Sequence, residues 1–207
     1  MGAFPALPKR GTARCIPFLF LFLAAGCSTI SPPDDLRRNA VAQKFFTPEA
    51  GRVLRHVPLR YAPLPGYAGI AIGNDTGSRA TAILQGFGNR RQVVMSPNSD
   101  DITLFHEFIH QCQYSGLIDT ALFEERYAKL KRDPRFARIP ERWEEYLWRD
   151  YGRSPALAAL LYDRGVTREL IAYLIEGWML KWYDLPEYML DVYRPAVRFE
   201  SRDEIRP

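Results

Sequence analysis

From Ile102 to Tyr114 the apolar residues recur at helical spacing. With successive residues about 100° apart and His106 at the origin, Ile102, Leu104, Phe105, Phe108, Ile109 and Cys112 fall in an arc of about 160° to 320°. Thr103, His106, Glu107 and His110 fall between about 0° and 100°. The pattern predicts an amphipathic helix that turns one face to a core and carries two histidines, one turn apart, on the other. Asn98 or Ser99 offers an N-cap, and acids follow in the first turn.

The grain differs on either side of this helix. Between Arg60 and Met95, "GYAGIAIGND", "ATAILQGFGNR" and "RQVVMSP" are short apolar or alternating runs separated by Asn, Asp and Gly. They predict two to four short strands in antiparallel hairpins. Ahead of them, Thr47 as N-cap and Pro48 at the first helical position predict a short helix. After Tyr114 the chain reads as helices: "TALFEERYAKLKR", "IPERWEEYLWRDYG", "SPALAALLYDRG", "TRELIAYLIEGWMLKWYD" and "LPEYMLDVYR". A small antiparallel sheet followed by a helical region is an α+β layout.

The first 27 residues are of another kind. Lys9, Arg10 and Arg14 precede the apolar run "CIPFLFLFLAAGC", which ends in small residues before a cysteine. Charged, then apolar, then small is the layout of a secretory signal. The end, "LAAGCS", resembles a bacterial lipobox. The resemblance implies that Cys27 becomes the first mature residue and carries lipid, with Ser28 after it implying the outer membrane, facing the periplasm. Residues 28–46, opening "STISPPDDLRRN", then read as a tether, and 47–207 as a single domain. That assignment changes the charge picture. The whole chain carries 28 basic and 24 acidic residues, but three basic residues leave with the signal. The remainder is nearly neutral and has no basic stripe, so nothing points to nucleic acid. Cys112 is the one cysteine left besides Cys15 in the signal and Cys27, which excludes an intramolecular disulfide in the mature chain.

Candidate chemistry centres on the three histidines, of which His106 and His110 lie in "HEFIH". Residues at i and i+4 set two imidazoles side by side, so that two nitrogens can reach one ion at about 2.0–2.1 Å. Glu107, one step round the helix, can reach a metal-bound water without being a ligand. The segment resembles the His-Glu-x-x-His motif of the zincin metallopeptidases, in a stricter form without charge at the intervening and flanking positions. The resemblance implies one Zn²⁺ held by His106 and His110, Glu107 as general base, and a peptide or protein substrate.

A catalytic zinc takes three protein ligands and an open position. His56 lies in the short upstream helix, away from this motif. Glu176 in "YLIEGWMLKW" and Glu187 in "DLPEYMLDVY" both stand in strongly apolar helical surroundings. The second stretch resembles the Glu-x-x-x-Asp helix of gluzincins. That resemblance implies Glu187 as third ligand and Asp191 as the carboxylate that orients a ligating histidine; Glu176 is the alternative third ligand. Tyr114, Tyr183, Tyr193 and Arg194 are candidates to stabilise an oxyanion. Trp178, Trp182 and Cys112 read as core. The expectation is a membrane-tethered zinc metallopeptidase, the alternative a catalytically inactive zincin-like lipoprotein that serves as a binding or envelope-assembly module. Oligomeric state is not legible.

Overall fold

A computed structural model describes residues 32–62, 69–72, 92–151 and 166–205. The lipobox, the run "ATAILQGFGNR" and the helix expected over "SPALAALLYDRG" lie outside the described residues. In chain order the elements are α1 (Pro32–Phe45), α2 (Pro48–Leu54), β1 (Leu59–Tyr61), β2 (Gly69–Ile72), β3 (Gln92–Met95), α3 (Asp101–Tyr114), α4 (Thr120–Arg132) and α5 (Arg138–Tyr146). A π-helical segment (Leu147–Tyr151) continues α5, followed by α6 (Val166–Met179), α7 (Glu187–Tyr193) and α8 (Ser201–Glu204). Among the described residues no helix is long and apolar enough to cross a membrane.

The architecture is α+β, with a correction to the sheet. Its order is β1-β3-β2, with β3 central. β2 pairs antiparallel to β3, as expected, but β1 pairs parallel to it, Leu59 opposite Val93 and Tyr61 opposite Met95. The sheet is therefore mixed. The paired residues of β1 and β3 are 34 positions apart in the chain, a separation that a parallel pair needs and a two-residue hairpin does not give. β3 is buried along its whole length, Gln92 included. Gln111 of α3, itself fully buried, donates to the Gln92 carbonyl at 3.1 Å and so fastens the histidine helix to the central strand.

The segment 28–46 is not simply a tether. Pro32–Phe45 forms α1, and Val41, Ala42, Phe45 and Phe46 are buried in the core. Phe45 and Phe46 meet Phe105 at 5.4 and 5.3 Å between ring centroids, and Phe46 meets Phe108 at 5.9 Å. These are the edge and tilted arrangements that aromatic quadrupoles favour. Arg37 of α1 binds Asp101 at the start of α3, the Ser99 carbonyl and the Tyr61 hydroxyl. The many polar residues ahead of Val41 conceal this packing in the sequence. The other end of the chain closes on the same place: Phe46 bridges Val197, and Thr47, the N-cap of α2, donates to the Pro195 carbonyl.

The helix carrying Glu176 is pinned by one close approach. The Tyr183 hydroxyl accepts from Trp143 Nε1 at 2.8 Å and donates into the carbonyls of Leu174 and Tyr173. Its ring crosses α6 at Gly177, where an added Cβ would stand 2.7 Å from Cζ. Only glycine admits that crossing. Trp178 and Cys112 are core residues, as their apolar settings predict.

If α1 belongs to the folded domain, Phe45→Ala removes a side chain that is 1% exposed. The expected cost is about 3–5 kcal/mol of unfolding free energy, measured by urea denaturation. A tether residue would leave the midpoint unchanged.

Candidate metal centre

The N-cap of the histidine helix falls one residue after Ser99 and two after Asn98, the caps expected from sequence. Asp100 is the cap, its carboxylate accepting from the Thr103 amide and hydroxyl, both at 2.7 Å. A carboxylate suits this place better than Asn98 or Ser99 because its charge also meets the helix N-terminus. The helix ends at Gly116, which takes φ of 76° while Leu117 N and Gly116 N bond back to the Cys112 and Gln113 carbonyls. That is the left-handed closure glycine provides.

Between these ends both faces are covered. Leu104, Phe105, Phe108, Ile109 and Cys112 are fully buried, as the wheel predicts. The polar face is buried as well: His106 is 7% exposed, Glu107 6% and His110 2%. What covers it is α6. Glu169 and Glu176 are seven residues apart, hence within about 20° on the wheel, and Tyr173 lies between them on that face. The Tyr173 ring packs on His106 at 4.6 Å between centroids.

The ring nitrogens divide their duties. His106 Nδ1 is 2.7 Å from Glu176 Oε2, and His110 Nδ1 is 3.0 Å from Gln113 Oε1. The two Nε2 atoms turn to Glu169, His106 to Oε2 at 3.8 Å and His110 to Oε1 at 3.6 Å. One ligand atom from each of His106, His110 and Glu169 lies within 4.8 Å of the others, and all three residues are buried. Atoms that share an ion at about 2.0–2.2 Å stand no more than about 4.4 Å apart. The two acid–histidine separations meet that limit. This group could hold a metal ion, with outer acceptors fixing both imidazoles from behind.

Electrostatics point the same way. Burial pushes the His106 imidazole down, but the carboxylates of Glu169 and Glu176 together push it up further, to about 10. Two carboxylates around one imidazole make a hole for positive charge, which a proton or a metal ion can fill.

The gluzincin-derived assignments do not converge on this group. Glu187 and Asp191 are exposed on α7, and both pair with Arg194. Their one-turn spacing serves a surface ion-pair cluster at the start of a seven-residue helix. Glu176 does approach the histidines, but it meets Nδ1 of His106, from behind, in the orienting role expected of Asp191. The third acid is Glu169, which the sequence reading passed over. It sits in the first turn of α6, where an acid is explained by the helix dipole alone. The available signal was Glu169, Tyr173 and Glu176 at i, i+4 and i+7, a polar stripe on a helix otherwise apolar. His56 is exposed. Of the oxyanion candidates, Tyr183 is committed to the Leu174 and Tyr173 carbonyls and Tyr193 to the Ile171 carbonyl. Burial holds both phenols well above their ordinary range, so they serve as neutral donors. Arg194 belongs to the α7 surface cluster, and Tyr114 lies under the Arg168 guanidinium at 5.9 Å.

No family model, curated protein or solved structure matches the chain.

Two outcomes are expected. The purified chain binds one divalent ion, measured by metal analysis after dialysis, and His106→Ala, His110→Ala or Glu169→Gln each removes it. Glu187→Ala and Asp191→Ala leave it bound, while Glu176→Gln weakens it by about 10–100-fold. Metal binding is also coupled to protons. His106 is raised from 6.5 to about 10 in the metal-free fold, so it stabilises that fold fully below 6.5 and loses the contribution as pH rises through about 10. Between those values a metal ion must displace the proton, and calorimetric heats should vary with the ionisation enthalpy of the buffer. Heats independent of buffer would contradict the His106 assignment.

Proposed function

We propose that this chain is a zinc-dependent hydrolase acting on peptide bonds, with His106, His110 and Glu169 as ligands and Glu107 as general base. The observation that carries the reading is the convergence of Glu169 on the Nε2 side of both histidines while Glu176 and Gln113 occupy the Nδ1 side. Two histidines and one carboxylate are the donor set of a catalytic zinc that keeps an open position. When bound, zinc supplies Lewis acidity and lowers the pKa of its water towards about 7.

The chain's own residues supply the rest. Glu107 follows His106 directly on α3 and is buried, so its carboxylate is held close to the ligands without being one of them. It takes the proton of the attacking water and returns it to the leaving amine. Glu176 and Gln113 keep the imidazoles from turning. A structural metal site needs no acid at position 107, and its presence favours the enzyme over a binding module. β2 is one of the two outer strands of the sheet among the described residues, and it runs beside α3. An extended peptide adding to that edge would lie alongside the site, with main-chain hydrogen bonds giving affinity.

The envelope location belongs to this proposal. Cys27 carries lipid and holds the domain at the outer membrane, facing the periplasm. Because α1 starts at Pro32, four residues separate the anchor from the first helix. The domain then works close to the bilayer surface.

Glu107→Gln is the decisive variant. Zinc content should stay at one per chain, while cleavage of a peptide library, read by mass spectrometry, falls by about 10²–10⁴-fold. Equal cleavage by the variant overturns the base assignment. A zinc-loaded wild type that cleaves nothing overturns the peptidase reading in favour of the binding module.

A further inference from the structure

Gln113 stands one turn beyond His110 on α3, and its carboxamide spans the gap to α6. Its Nε2 lies 3.2 Å from the Arg168 carbonyl and its Oε1 lies 3.0 Å from His110 Nδ1. The orientation of this amide follows from chemistry. A backbone carbonyl can only accept, so the Gln113 atom facing Arg168 must be the NH₂ group. The atom facing His110 is therefore the amide oxygen, which can only accept as well. His110 Nδ1 must then carry a proton and donate it. Whatever else the ring binds, Nε2 is the nitrogen left for a ligand, and it is the one 3.6 Å from Glu169. Arg168 immediately precedes Glu169, so one side chain ties the orientation of the second histidine to the peptide that carries the facing acid.

We infer that Gln113 is a positioning residue that selects the Nδ1–H tautomer of His110 and aims its Nε2 at the point shared with His106 and Glu169. The inference rests on the metal-site reading for its purpose, but the tautomer exists without metal. The two histidines are held by unlike acceptors, a carboxylate on His106 and a neutral amide on His110. A neutral acceptor fixes the second ring without adding a fourth carboxylate to a group that already holds Glu107, Glu169 and Glu176.

The test has two arms. In metal-free protein labelled with ¹⁵N-histidine, long-range ¹H–¹⁵N spectra at a pH where the ring is neutral should show His110 protonated at Nδ1. With three histidines in the chain, single substitutions assign the signals. In Gln113→Met, which keeps the length and loses the acceptor, that tautomer should give way to a mixture. The second arm is zinc affinity by chelator competition, with melting curves to confirm folding. Gln113→Met should weaken zinc by about 10–100-fold. Gln113→Glu, which still accepts from Nδ1 but cannot donate to Arg168, should recover most of the loss. A wild-type proton on Nε2, or Met and Glu variants equally weak, overturns the inference. A wild type that shows the Nδ1–H tautomer, changed in Gln113→Met, but holds no zinc supports the orientation and overturns the proposed function instead.

Discussion

The polar face of α3 is buried, and the rest of the fold answers to that constraint. Two imidazoles and a carboxylate taken out of water on one helix are costly unless they are paired and hydrogen-bonded. α3 itself supplies Gln113 to His110, and the carboxylate partners have to come from another element. α6 provides them as Glu169 and Glu176, one stripe on a helix whose other positions are almost all core. A positive charge between the carboxylates offsets part of that cost, and the carboxylates raise the His106 imidazole so that it favours carrying one. The same cluster of His106, His110 and Glu169 could hold a metal ion in place of that proton.

Orientation is secured from both sides of the pair of helices. Phe45 and Phe46 press on Phe105 and Phe108, Gln111 fixes α3 to the central strand, and the Asp100 cap and Gly116 set its length. α6 is held by the crossing of Tyr183 over Gly177 and by Trp143, which also stacks on Tyr173 at 4.8 Å. Tyr173 in turn packs on His106. The imidazole thus sits between a carboxylate that holds its far nitrogen and an aromatic wall that fixes its plane. Ligands held to this degree lose little freedom when an ion arrives.

The N-terminal helix shows how composition misleads about packing. "PPDDLRRNAVAQKF" is mostly polar, and prolines with acids suit an extended linker as well as a helix start. Among its described side chains the buried ones are few and late, Val41, Ala42 and Phe45, with Phe46 just beyond the helix. They make it part of the domain through contacts with α3, about sixty residues away in the chain. Likewise the parallel pairing of β1 with β3 joins residues 34 positions apart in the chain, which local patterning does not reveal.

What the sequence determined by itself was local. The α+β class, the extent of α4, the Thr47 cap, the two faces of α3 and the adjacency of His106, Glu107 and His110 all follow from periodicities within one or two turns. The acids that meet the histidines could not be read that way. Glu187 and Asp191 had the right spacing along one helix, yet they face solvent and Arg194. Glu169 looked like an ordinary first-turn acid, yet it reaches both rings, with Glu176 behind one of them. Helical spacing fixes which residues share a face, but not which face meets which helix. That was decided by the packing of α6 on α3, where burying the histidines required a face that carried carboxylates.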